Sequence, residues 1–111
     1  MIRDIYVKSY PNFFFDSILI TIPFLKKFET GVRYRFLEYG SNQFLFYKFL
    51  VDQRIVKLKN ITDETAYLSK GCDKKTFIEI QTKCYKKTIE DEILILTFNS
   101  SAKNYDSFEI N

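Results

Sequence analysis

Arg33 and Arg35 stand two residues apart among aromatic and aliphatic neighbours, and Lys48, Lys57 and Lys59 recur in similar company further along the chain. In a β-strand, residues two apart point to the same face. Cations at that spacing, with Tyr39, Phe44 and Phe46 turned to the same face, would build a surface with one kind of chemistry. Guanidinium and ammonium groups hold oxyanions, and the ring faces between them offer packing area or a stacking platform for bases.

The parity depends on how the strands are joined, because a one-residue slip sends every side chain to the other face. A four-residue turn over 40–43 and a two-residue turn at Asp52-Gln53 place Tyr34 opposite Phe49 and Phe36 opposite Tyr47. One face is then Val32, Tyr34, Phe36, Leu45, Tyr47, Phe49, Val51, Val56 and Leu58, which is a core without charge. The other gathers Arg33, Arg35, Leu37, Tyr39, Phe44, Phe46, Lys48, Leu50, Ile55, Lys57 and Lys59 and contains no acid. Arg35, Lys48 and Lys57 fall in one cross-strand row, where like charges repel. A three-residue turn would put Arg35 opposite Tyr47 and mix cations into the core, so the longer turn is the cleaner reading. The plain alternative is a solvated face, with lysine and arginine stems lying over Phe44, Phe46 and Leu50 and their heads in water.

Other chemistry finds little to work with. The chain has no histidine, so the commonest general base and metal ligand are missing. Cys72 follows Gly71 in a turn and would be an exposed thiol. Cys84 ends an alternating run over 76–84 and would be a small core residue. Glu90-Asp91-Glu92 lacks the spacing of a calcium loop and reads as a solvated turn. Gly31, Gly40 and Gly71 are isolated and make no phosphate-binding loop. No catalytic residue, metal site or cofactor motif is expected, and the chain is read as a binding protein rather than an enzyme.

The elements that must carry the basic face are mostly strands. The composition, with 12 Phe and 8 Tyr in 111 residues, favours extended structure. Strands are expected over 2–8, 32–39, 44–51, 54–61, 65–69, 76–84, 93–98 and 105–110, in antiparallel hairpins. Residues 13–28 read as helical, capped by Asn12 and broken at Pro23, although the β-branched cluster over 17–22 would also suit a strand. The expected fold class is α+β and mainly antiparallel β: one domain over 1–111, a small curled sheet, barrel or sandwich with one N-terminal helical segment.

Seventeen Lys and Arg against fourteen Asp and Glu leave a net charge of +3, far from that of a dedicated DNA binder. Cys84 would lie at the far end of the strand that Cys72 precedes, too distant for a disulfide, so two free thiols and a reducing, cytoplasmic compartment are expected. The apolar run 13–25 is too short to span a bilayer and contains Asp16 and Pro23, so no membrane insertion is expected. These features point to a small non-catalytic protein that occludes the acidic functional surface of a protein partner, in the manner of immunity proteins and inhibitors of toxins or defence effectors. The alternative is a single-stranded nucleic-acid binder using the same face. A curled sheet enclosing an apolar ligand would account for the many Phe residues.

Overall fold

The structure, a computed structural model, describes residues 3–8 and 17–100. Five strands form one sheet: β1 (Asp4–Val7), β2 (Ser17–Ile22), β3 (Arg33–Glu38), β4 (Phe44–Lys57) and β5 (Glu92–Asn99). Two helices, α1 (Asp63–Lys70) and α2 (Lys74–Cys84), follow a single 3-10 turn at Leu58–Asn60. The strand order is β1-β3-β4-β5-β2, antiparallel except for the β1/β3 pair. The molecule is therefore a mixed α+β fold on a mainly antiparallel sheet that does not close. The expected strand at 105–110 and the first part of the segment 13–28 lie outside the described residues.

Alternation sorts the sheet into two faces. On the inner face Ile18, Ile20, Tyr34, Phe36, Leu50, Leu94, Leu96 and Phe98 form the larger core with Ile5 and Val7. Phe98 meets both Tyr34 and Phe36 edge-on, at 5.8 and 5.0 Å between ring centroids. These offset geometries suit the ring quadrupoles. Among the described residues the outer face is covered at one end, where Ile93 and Ile95 pack with Leu58, Ile61, Ala66 and Phe77 beneath the helices.

The helices occupy residues for which alternation suggested strands at 65–69 and 76–84, while Ser17–Ile22 is a strand rather than part of an N-terminal helix. Capping explains the first difference. Thr62 accepts a hydrogen bond from the Thr65 N–H at 3.0 Å, and Asp73 accepts one from the Thr76 N–H at 2.8 Å. Each satisfies an orphan donor at a helix start. Asp63 and Glu64 add negative charge to the first turn of α1, favourable to its dipole. Gly71, at φ +71°, ends α1 in the left-handed conformation and donates its N–H to the Tyr67 carbonyl at 2.8 Å. In α2 the buried pair is Phe77 and Gln81, one helical turn apart, and Cys84 at its end is exposed instead of core. Both cysteines are free thiols.

Two irregularities set the register of β4. Phe36 pairs with Phe46 and Leu37 with Phe44, leaving Leu45 as an extra residue. Leu50 pairs with Phe98 and Asp52 with Thr97, leaving Val51 extra. Each bulge inverts the parity of the strand. Asp52-Gln53, expected as a turn, lies inside the continuous β4. Its polar groups are met in place: the Gln53 amide donates to the Phe28 carbonyl and to Thr30 Oγ1, at 2.9 and 3.0 Å. Asp52 pairs with Arg54 at 3.5 Å.

Candidate functional site

The bulge at Leu45 decides which cations share a surface. Arg35 stands opposite Tyr47 and Tyr34 opposite Lys48, the register that the sequence reading set aside. Arg33 and Arg35 do point outward and are exposed. Phe46 and Lys48 turn inward. Phe46 is half-buried against Phe36, with 5.1 Å between centroids. Lys48 is only 6% exposed, its amine donating to Ser100 Oγ at 2.9 Å and lying 5.1 Å from the Phe46 ring centre. The Arg35–Lys48–Lys57 row is therefore not formed.

Lys57 and Lys59 remain exposed and share one carboxylate, Glu90, at 3.2 and 2.6 Å, which offsets one of their two charges. The acidic turn has its own structural work as well, since Asp91 accepts from the Thr88 N–H at 2.8 Å. Tyr39 is exposed just beyond β3, its N–H bonded to the Val7 carbonyl at 2.8 Å. Phe44 is exposed at the start of β4 and packs 5.1 Å from Tyr47.

Arg33, Arg35 and Phe44 are thus brought together on the part of the outer face that the two helices do not cover. Three residues join them that the sequence reading left out or assigned to the core: Arg3, Asp4 and Tyr47. Arg3, Asp4, Arg33, Arg35 and Tyr47 line a shallow depression of about 310 Å³. Tyr47 is 47% exposed, and the Arg33 guanidinium carbon sits 4.2 Å from its ring centre, a cation–π contact. Arg35 grips Asp4 through two parallel bonds, Nε to Oδ1 at 2.9 Å and Nη2 to Oδ2 at 2.8 Å. Those hydrogen bonds hold the Asp4 carboxyl below its usual range and raise Arg35 in return. Tyr6, 51% exposed, also lies within the electrostatic reach of Arg35. Asp4 therefore fixes Arg35, while Arg33 and Arg3 have no acidic partner among the described residues.

The alternation of 32–36 did signal the outward arginines. The strand expected over 2–8 is β1, but its parallel pairing with β3, which brings Arg3, Asp4 and Tyr6 to their side, left no local trace. A parallel neighbour distant in sequence has no hairpin turn to announce it.

No family model, curated protein or solved structure matches the chain. Among the described residues, no group of three or more Cys, Asp and Glu side chains gathers to hold a metal ion. No helix among them is long and apolar enough to cross a membrane.

Proposed function

We propose that the protein is a small non-catalytic binder that occludes an acidic surface of a partner protein, in the manner of an immunity protein or inhibitor, through Arg3, Arg33, Arg35, Phe44 and Tyr47. The observation that carries this reading is the Arg33–Tyr47 stack. It is an exposed, positively charged and conformationally restrained pair, set in a depression with the unneutralised Arg3. Arg and Tyr are the residue types that anchor protein interfaces, and a planar guanidinium can grip a carboxylate through two bonds. Tyr6 and Phe44 widen the apolar area around the anchor.

The same geometry weighs against the nucleic-acid reading. One face of Tyr47 is already taken by Arg33, and Lys57 and Lys59 are both drawn onto Glu90, which offsets one of their two charges and weakens their hold on a phosphate backbone.

The test is affinity capture from the source cells with the full chain and with Arg33→Glu, with and without nuclease. Arg33 is exposed, so the variant should melt within about 0.5 kcal/mol of the parent. The expected result is a protein partner held by the parent in nuclease-treated lysate and lost from the variant. Retention by both forms would overturn the assignment of this surface. Capture that vanishes with nuclease, and weakens steeply with salt, would replace it with the single-strand reading.

A further inference from the structure

A second surface adjoins the seam of the sheet. The sheet curls far enough that β1 and β2, at opposite ends of the strand order, both line one cavity of about 510 Å³. Lys26, from the connection between β2 and β3, and Tyr85, at the end of α2, line it too. Neither they nor their neighbours in the chain line the depression around Arg33.

The connection stands off the fold. Phe24, Leu25, Lys26 and Lys27 are four exposed residues in a row, so neither side of the chain is buried there. Phe24 is 56% exposed and Leu25 53%, an unfavourable exposure of apolar surface to water. The stretch is nonetheless held at its foot. Phe28 packs 5.9 Å from Tyr34 between ring centroids, and its carbonyl accepts from the Gln53 amide at 2.9 Å. The Glu29 N–H donates to Tyr34 Oη at 2.9 Å. From the other side, Tyr85 meets Phe24 edge-on at 6.1 Å and is itself 43% exposed. Lys86 turns the chain at φ +57°, the left-handed conformation that glycine usually supplies after a helix. Lys87 then lies with its amine 5.6 Å from the Phe24 ring centre. Two segments distant in sequence thus meet in one patch, where exposed apolar side chains sit among ammonium groups.

Exposed apolar groups rimmed by charge mark a protein or a membrane contact. The residue types separate the two. Protein interfaces are enriched in Arg and Tyr and depleted of Lys, which describes the Arg33–Tyr47 surface and not this one. Phe and Leu beside lysines, whose long stems lift the amine to the level of the headgroups, make the composition of an interfacial anchor. Such an anchor needs no spanning segment. We propose that Phe24 and Leu25, with Tyr85 behind them, dip into the boundary between headgroups and acyl chains of an anionic membrane surface, while Lys26, Lys27 and Lys86 bind its phosphate and carboxylate groups.

The probes are vesicles of phosphatidylcholine alone and of equimolar phosphatidylcholine and phosphatidylserine, with binding of the full chain read by sedimentation. The chain has no Trp, so Leu25→Trp places a single indole at the tip. Its emission should move to shorter wavelength on the mixed vesicles and be quenched by lipids brominated along the acyl chain. Phosphatidylcholine alone should bind at least about tenfold more weakly. Lys26→Gln with Lys27→Gln should weaken binding to mixed vesicles roughly twenty-five-fold, at about fivefold for each lysine. Phe24→Ser should weaken it about tenfold or more, because its ring no longer leaves water. Equal binding to both vesicles would overturn the role of the lysines. Sedimentation without any change in Leu25→Trp emission would overturn insertion, and a shift seen for Phe44→Trp instead would overturn the site. Polyglutamate bound as tightly as the mixed vesicles, charge for charge, would replace the lipid with an acidic protein segment. The absence of sedimentation with either vesicle would overturn the proposal outright.

Discussion

Cys72 and Cys84 show what a change of element does to a single side chain. If 76–84 were a strand, Cys84 would share its face with Ile78 and Ile80. On the helix α2 it is exposed, while Cys72 packs at the edge of the cluster around Phe77. Burial, helped by the neighbouring Asp73 carboxylate, raises the Cys72 thiol above its usual range and lowers its thiolate fraction near neutrality. Alkylation of the native protein at pH 8 should therefore modify Cys84 several-fold faster than Cys72, read by peptide mass spectrometry. The reverse order would mean that α2 presents a different face. By the same placement, Cys84→Asp should stay within about 0.5 kcal/mol of the parent, apart from a small penalty for an acid at a helix C-terminus.

The elements were legible where one periodicity ruled and illegible where two competed. Arg33–Glu38 alternates between exposed and buried residues along most of its length, Glu92–Asn99 is a continuous apolar run buried on both faces, and the expected strands 32–39 and 93–98 match them to within a residue. In β4 both parities are apolar: Leu45, Tyr47, Phe49 and Val51 on one, Phe44, Phe46 and Leu50 on the other. Alternation then contains no signal for a bulge, and the candidate surface was displaced by one residue along β4 as a result. In α2, Ile78 and Ile80 satisfy a period of two, yet Phe77 and Gln81 are the buried pair. The caps at Thr62 and Asp73 were the local signal that would have settled it. Gln81 is 2% exposed and its Oε1 accepts no hydrogen bond. Such a group bears its desolvation cost without return. Gln81→Met should accordingly raise stability by about 1 kcal/mol in urea unfolding, and Phe77→Ala, one turn earlier, should lower it by roughly 3–5 kcal/mol. A destabilising Gln81→Met would show that the amide is satisfied in solution.

At the scale of the whole molecule, the open seam between β1 and β2 is the feature that local sequence signals do not reach, because it follows from strand order. The early strand β1 joins β3 in parallel, β2 crosses to the far edge beside β5, and β4 and β5 end up flanked on both sides. Hydrogen exchange reads this arrangement directly. Along β1 the carbonyls of Arg3 and Val7 accept from the Arg35 and Tyr39 N–H groups of the β3 segment at 2.8 Å. Alternation then turns the backbone of Asp4 and Tyr6 toward the cavity. The amides of Leu94, Leu96 and Phe98 in β5 should exchange slowest, at a rate set by global unfolding, while those of Asp4 and Tyr6 should exchange roughly a hundredfold faster through local opening. Equal protection at the two places would mean that the sheet closes in solution and that the seam is sealed.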